Sequence, residues 1–101
     1  MLSVLPPDLT ADFFSPAVGA RFEANIDGVS FALTLVEIEL LTSGRPGHRA
    51  PFLLLFDAPA GARVVQGTHH LSHETLGSFD VFLVPAQPGP TRAPRLAATF
   101  S

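Results

Sequence analysis

Residues 21–41 read RFEANIDGVSFALTLVEIELL, and two runs of alternating apolar and polar residues flank Asp27-Gly28. Alternation with a period of two residues is typical of a β-strand that has one face in the core and one face in water. An Asp-Gly pair directly between two such runs is a strong signal for a tight β-hairpin. The segment therefore predicts two antiparallel strands, at 21–26 and 29–41.

The second of these strands changes phase along its length. Its apolar residues are first Val29, Phe31, Leu33 and Leu35, and then Val36, Ile38 and Leu40, with Glu37 and Glu39 between the last three. A shift of one position in the apolar face indicates a β-bulge or a sharp bend. Because bent strands let a small sheet curve and close, the shift predicts a sheet that closes at least partly on itself.

Four further strands are predicted on the C-terminal side of the hairpin. They lie at 52–56, 67–72, 78–84 and 95–100. Pro85 is expected to end the strand that precedes it, since proline has no N–H to donate. The segments 42–51 and 87–94 are rich in glycine and proline and predict loops. Six short strands separated by turns fit an antiparallel barrel or a two-sheet sandwich.

The N-terminal residues predict a short helical plug. Residues 1–9 are expected to be irregular, because two consecutive prolines within them block regular backbone hydrogen bonding. Thr10 can then cap a helical turn at 11–14. The side chains expected to close one end of the core are Phe13, Phe14 and Val18.

A single domain is expected over residues 1–101, a length common for one compact unit. The expected fold class is all-β: a six-stranded antiparallel, partly closed barrel or sandwich with a short N-terminal helical turn. Charged residues make up 15% of the chain, whereas about 25% is typical. A chain with so few charges is expected to keep an apolar face for a neighbour, either a second copy or another protein.

Composition also argues against several classes of function. The six basic residues are all Arg and are scattered, so no basic stripe is available to follow a nucleic acid. The chain has no Cys, which excludes disulfides and thiolate metal sites. No signal peptide is visible, and no apolar run reaches the ~20 residues that a membrane helix needs. The expected location is cytoplasmic, with no membrane partner and no cofactor.

One group of residue types suits a metal site: His69, His70, His73 and Glu74. The spacing argues against it. Adjacent residues of a strand face opposite sides, so His69 and His70 cannot both bind one ion. His69 and His73 would lie ~13 Å apart on an extended strand, and only a turn near Ser72 could bring them together. Surface or half-buried histidines are therefore expected, and no metal-binding residue is assigned.

Two other constellations have a catalytic interpretation and a simpler structural one. Glu37 and Glu39 stand ~6–7 Å apart on a strand, within the range of glycosidase carboxylates, but their alternation with apolar residues favours a solvent face. Ser72 or Ser78 could serve as a nucleophile with His73 and Asp80, but the Gly-x-Ser-x-Gly elbow is absent. No catalytic residue is assigned, and the expectation is that the protein is not an enzyme.

Nucleotide and sugar sites have little support in the sequence. The glycines at 44–47 and at Gly67 do not match a phosphate-binding loop that opens a helix. The aromatic residues are nine Phe without Tyr or Trp, and an all-Phe set indicates a core rather than a carbohydrate platform. No cofactor-binding residue is assigned.

Several motifs together resemble a family of small bacterial domains of unknown function, over nearly the whole chain. They are Pro51-Phe52-x-Leu-Leu-Phe56, Gln66-Gly67-Thr68-x-x-Leu71-x-His73-Glu74-x-Leu76-Gly77, Phe82-Leu83-Val84-Pro85 and Ala98-x-Phe100. The resemblance implies phage-type tail-collar or tail-fibre-like proteins as genomic neighbours, and therefore a structural or assembly role near a tail-like particle. It transfers no catalytic or binding residue to this chain.

The longest of these motifs also has a physical interpretation. Residues 73–77 predict a tight turn in which Leu76 packs inward and Gly77 adopts a positive φ. The imidazole of His73 is expected to hydrogen-bond the backbone of that turn, which is a structural role rather than a chemical one.

The sequence leaves three hypotheses open. The first is a non-enzymatic structural or assembly protein that binds another protein, phage-tail-like in its partner, through an apolar face or a sheet edge. The second is a small-ligand or carbohydrate-binding barrel with the loops 42–51 and 87–94 around its mouth. The third is a metal-dependent enzyme that uses His69, His73 and Glu74. A homodimer is compatible with the first two.

Overall fold

Six antiparallel strands close into a barrel in the computed structural model, which describes residues 11–26, 28–41, 51–90 and 92–100. A helical turn, α1 (Ala11–Phe14), continues into a 3₁₀ turn (Ser15–Ala17). The strands are β1 (Arg21–Ile26), β2 (Val29–Leu40), β3 (Phe52–Asp57), β4 (Gly67–His73), β5 (Gly77–Ala86) and β6 (Arg95–Phe100). Around the barrel their order is β1-β2-β3-β6-β5-β4, and β4 pairs with β1. The expected all-β class is confirmed, and the barrel is the correct one of the two architectures.

Some expectations concern parts of the chain outside the described residues. These are the irregular N-terminal segment 1–9, the cap at Thr10 and most of the loop 42–51. Within the described ranges, no helix is long and apolar enough to cross a membrane.

The β1–β2 hairpin forms as the sequence predicts. Ile26 pairs with Val29, so two residues connect the strands. Gly28 has a φ of 81°, a left-handed conformation that glycine adopts without the strain a Cβ would impose. Along β1, buried and exposed residues alternate strictly, and Phe22 is fully buried. The hairpin therefore fixes which face of the first two strands enters the core.

The expected irregularity in β2 is a β-bulge at Val36. Leu35 lies opposite Phe56, but the next registered pair is Glu37 with Leu55, so one residue of β2 has no partner on β3. The extra residue keeps Leu35 in the core while Glu37 stays exposed. Leu40, at the end of the strand, is 70% exposed rather than on the core side. The bulge thus lets a strand of 12 residues bend around the barrel.

The prediction that Pro85 ends β5 is wrong, because the strand continues to Ala86. The backbone N–H of Ala58 donates to the carbonyl oxygen of Pro94, just before β6. Because peptide groups alternate in direction along a strand, those of every second residue from Pro94 onwards face β3. Those of the alternate residues face β5, where Val84 and Ala86 pair with Ala97 and Arg95. The backbone nitrogen of Pro85, which carries no hydrogen, therefore faces away from β6. The nitrogen faces the side of β4 instead. Because the pairing of β4 with β5 begins only at Gly67 and Leu83, no ladder hydrogen bond is lost at Pro85.

The N-terminal turns close one end of the barrel with aromatic rings. Phe14 is 1% exposed and contacts Phe100 (5.6 Å between ring centroids), Phe79 (5.7 Å) and Phe52 (6.0 Å). Phe52 and Phe100 stack at 4.7 Å. The expected plug is thus confirmed for Phe14, and half-buried Phe13 packs against Phe79 at its edge.

Val18 does not belong to the plug, in contrast to the prediction. Its side chain is 48% exposed, and Ala17 is buried instead. The chain leaves the 3₁₀ turn at Val18 in an extended conformation (φ −62°, ψ 126°). Because the helical period ends there, Val18 points away from the core.

Two seams of the barrel are short. β1 and β4 share three registered pairs, and β5 and β6 share three, whereas β3 and β6 share six. β5 pairs with β4 from Gly77 to Leu83 and with β6 only from Val84 to Ala86. Beyond that point Phe79 and Phe100 are linked by the ring of Phe14 rather than by ladder hydrogen bonds. Aromatic packing therefore completes the closure of the barrel.

We expect Phe14→Ala to lower the free energy of unfolding by about 3–5 kcal/mol, because it removes a buried ring and leaves a cavity among three others. The control is Phe82→Ala, the same substitution on a side chain that is 53% exposed, with an expected loss of less than about 1.5 kcal/mol. Urea unfolding followed by circular dichroism measures both. Equal losses in the two variants would contradict the role of Phe14 in closure.

Candidate functional site

The three histidines of β4 have separate partners. His69 is half-buried, and its Nε2 donates to the carbonyl oxygen of Val65 at 2.9 Å. His70 lies on the outside of the barrel, where its Nδ1 donates to Oδ1 of Asp80 at 2.8 Å. The two imidazoles therefore point to different sides of the strand, as the alternation predicts.

His73 holds the turn between β4 and β5. Its Nδ1 accepts hydrogen bonds from the backbone N–H groups of Thr75 (3.0 Å) and Leu76 (3.1 Å). The imidazole also packs on the ring of Phe22, 4.9 Å away. Leu76 packs against the core, and Gly77 has a φ of 96°. All three expectations for this turn are confirmed, and the Nδ1 of His73 is an acceptor, which puts the proton of the neutral ring on Nε2.

The arrangement of these side chains does not form a metal site or a triad. Among the residues that the structure describes, no three His, Asp or Glu side chains are grouped to hold a metal ion. In a Ser-His-Asp triad the histidine donates from one ring nitrogen to the carboxylate, but Nδ1 of His73 accepts from the backbone and Asp80 binds His70. Ser72 and Ser78 face each other as a registered pair of the hairpin.

A surface groove opens where β1 and β4 separate. It has a volume of about 600 Å³, and its lining includes Arg21, Glu23, His73 and Glu74. The registered pairing of the two strands stops at Glu23 with Ser72. The groove is thus a consequence of the short seam, and it lies outside the packed interior. That interior is filled by buried side chains that include Phe22, Phe56 and several leucines.

A group of neighbouring apolar side chains lies on the outside of β3, β6 and β5. Cross-strand pairing aligns Leu55, Ala97 and Val84 in one row across the three strands. Leu53 lies on the same face of β3, and Phe82 on the same face of β5. We call these five residues, Leu53, Leu55, Phe82, Val84 and Ala97, the outer patch. Phe82 is 53% exposed and Val84 39%, and the other three are half-buried.

Charged residues border the outer patch on the β2 side. Glu37 lies opposite Leu55 and Glu39 opposite Leu53, and both glutamates are exposed. Their position on the convex outside of a barrel is the solvent face that the alternation predicts. It is not the cleft between two carboxylates that glycoside hydrolysis requires.

An ion pair lies at one end of the patch. Arg95 Nε donates to Asp57 Oδ1 at 2.7 Å and Nη2 to Oδ2 at 3.2 Å, and both side chains are 15% exposed. The hydrogen bond to Asp57 raises the pKa of Arg95, as do the charges of Asp57 and Glu37, although burial opposes them. Sequence reasoning missed this pair. Asp57 ends β3 and Arg95 begins β6, so only the pairing of the two strands could have revealed it.

We expect His73→Ala to lower the free energy of unfolding by about 1–3 kcal/mol, because the half-buried N–H of Leu76 and the exposed N–H of Thr75 lose their acceptor and the ring leaves Phe22. His70→Ala is the matched control, since its hydrogen bond to Asp80 is exposed and should contribute less than about 1 kcal/mol. Chemical denaturation of both variants measures the difference. A loss for His70→Ala as large as that for His73→Ala would contradict a structural role for the His73 ring.

Comparison with known proteins identifies the family but no characterised relative. Neither the curated proteins nor the solved structures provided a match. A family model described as a domain of unknown function, DUF6916, matches residues 9–100. The match spans α1 and all six strands, and it confirms the expectation of a small domain family without an assigned role. The chain therefore belongs to the DUF6916 family of domains of unknown function.

Proposed function

We propose that this protein is a non-enzymatic structural or assembly protein that binds another protein through the outer patch. The observation that carries the proposal is the exposure of Phe82 and Val84 beside three further apolar side chains on one sheet face. Large aromatic and aliphatic side chains that remain exposed as a group are typical of interaction surfaces. A single exposed leucine elsewhere would need no such explanation.

Closure of the barrel favours a side-chain surface over a sheet edge. A closed barrel has no free edge strand, so addition of a partner's strand to an open edge has little support here. Of the two modes of protein binding considered from the sequence, an apolar face and a sheet edge, the geometry favours the apolar face. Self-association through the same face is the simplest alternative outcome.

The non-enzymatic part of the proposal rests on the way the polar side chains are used. His73 accepts two backbone hydrogen bonds in a turn, and Asp57 is bonded to Arg95. Each of these groups has a structural partner. The arrangement therefore supports a protein whose polar groups maintain the fold.

A tail-fibre-like protein is the partner class that we propose first. The support for it is the resemblance in the segments from Pro51 to Phe100, which implies phage-type tail proteins as genomic neighbours. A small rigid barrel with one apolar face suits an assembly role, because a preformed surface needs little ordering when it binds.

The second candidate, a small-ligand or carbohydrate-binding barrel, has weaker support. Such a barrel needs an internal cavity near its mouth. The described part of the interior contains tightly buried side chains, among them Phe22, Phe56 and Leu33. A ligand inside would have to displace them, so the outer patch supports function better than the interior does.

The test is co-expression with the proteins encoded beside this chain, followed by size-exclusion chromatography with light scattering. We expect one neighbour to co-elute with the wild-type protein and to be lost from Phe82→Ser/Val84→Ser, because the double change removes the two most exposed apolar side chains of the patch. Val29→Ser is the control, since Val29 is 58% exposed but lies at the β1–β2 hairpin. Co-elution that survives the double change, or that Val29→Ser also abolishes, would contradict the outer patch as the binding surface.

A further inference from the structure

The β2 side of the outer patch carries unbalanced negative charge. Glu37 and Glu39 are exposed there, and the pair of Asp57 and Arg95 lies at one end of the patch. Arg95 is hydrogen-bonded to Asp57 through two nitrogens, and these two charges cancel. Three acids and one base therefore leave a net charge of −2 beside the patch. We call Glu37 and Glu39 the acidic flank.

The acidic flank is aligned with the apolar residues of the patch. The two glutamates are two positions apart on β2, and so ~7 Å apart along the strand. Leu55 and Leu53 are their registered partners on β3. Side chains directly opposite each other on neighbouring strands have Cβ atoms about 5 Å apart. Each carboxylate thus stands beside a leucine, and a ligand that covers the leucines also covers the carboxylates.

A ligand that buries these leucines also removes water from the carboxylates of Glu37 and Glu39. A carboxylate that loses water without gaining a counter-charge is strongly unfavourable. The nearby Arg95 already makes two hydrogen bonds to Asp57. Of the ion pairs between described residues, neither includes Glu37 or Glu39, so a partner is the source of counter-charge that the exposed flank invites.

A second copy of this chain supplies that charge poorly. On the far side of the patch, the outer face of β4 presents Thr68 and His70, and His70 is bonded to Asp80. A two-fold dimer through the patch would place the acidic flank of one copy against that side, or against the acidic flank of the other copy. In either arrangement the acidic flank meets Thr68 and His70 or a second pair of glutamates, and not a row of basic residues.

We propose that the partner is a different protein whose apolar surface is bordered on one side by Lys or Arg residues that meet Glu37 and Glu39. This inference rests on the proposed function, because it assumes that the outer patch is the binding surface. It adds the chemistry of the partner: apolar in the centre and basic on one flank. Opposite charges at the rim of an interface accelerate encounter and select the partner, and salt weakens both effects.

The experiment uses labelled synthetic peptides as probes of this chemistry, with binding measured by fluorescence anisotropy. The three probes alternate Leu with Lys, Leu with Glu, and Ser with Lys. We expect the wild-type protein to bind the Leu–Lys peptide at least tenfold more tightly than either of the others. Raising the salt concentration should weaken that binding, since the flank is exposed.

Three double variants distinguish the contribution of the acidic flank from that of total charge and from that of the outer patch. Glu37→Gln/Glu39→Gln should weaken Leu–Lys binding by about fivefold or more, the effect of two exposed ion pairs. Glu23→Gln/Glu74→Gln makes the same change of charge at the groove between β1 and β4, and should change binding by less than about twofold. Phe82→Ser/Val84→Ser should abolish binding.

The outcomes distinguish the inference from the proposed function. Equal binding of the Leu–Lys and Leu–Glu peptides, or equal effects of the two Glu→Gln pairs, would overturn the basic partner and leave the outer patch in place. Binding that survives Phe82→Ser/Val84→Ser would overturn the patch itself. A dimer of the free protein that depends on Phe82 and Val84 would overturn the choice of a different protein, as would the absence of Leu–Lys binding.

Discussion

Closure of the barrel across two short seams is the constraint on which the rest of the structure depends. A sheet of six strands has to curve fully around a core of one side-chain layer, and only three registered pairs join β5 to β6. The ring of Phe14 contacts both sides of that seam through Phe79 and Phe100. The N-terminal helical turn thereby stabilises the seam between β5 and β6, which has few ladder hydrogen bonds. The bulge at Val36 contributes the curvature on the opposite part of the sheet.

Closure also determines where function can be located. Phenylalanine and aliphatic side chains fill the part of the interior that the structure describes, so that part is a packed core. Each strand has a neighbour on both sides once β4 pairs with β1, so no strand is an edge strand along its whole length. What distinguishes one part of the surface from another is then the outward-facing residue of each strand. Within the outer patch the outward-facing residues of β3, β6 and β5 are apolar, and those beside it on β2 are Glu37 and Glu39. The proposed partner chemistry follows from that division.

Local sequence signals predicted the elements well, and long-range relations account for the errors other than that at Val18, where the helical period ends. The alternation in β1 and the Asp-Gly pair predicted the hairpin, because both depend only on neighbouring residues. The absence of an N–H in proline predicts a strand end at Pro85. The strand continues because that absence matters only where a partner strand is present, and β4 does not extend that far. The ion pair of Asp57 and Arg95 needs the register of β3 against β6, which no local pattern contains. The low charge content predicted an apolar face, but its residues could be identified only from cross-strand pairing.

The β4–β5 turn shows how a motif can be informative without carrying chemistry. His73 accepts the N–H groups of Thr75 and Leu76, which would otherwise lack partners in the turn. Leu76 anchors the turn on the core, and Gly77 takes the positive φ that lets the chain reverse into β5. His73, Leu76 and Gly77 of the motif each have a structural role in this turn. A resemblance built on such a motif therefore indicates a shared fold, and the basis for a shared function has to be sought on the outer face, where no structural requirement explains an exposed phenylalanine at position 82.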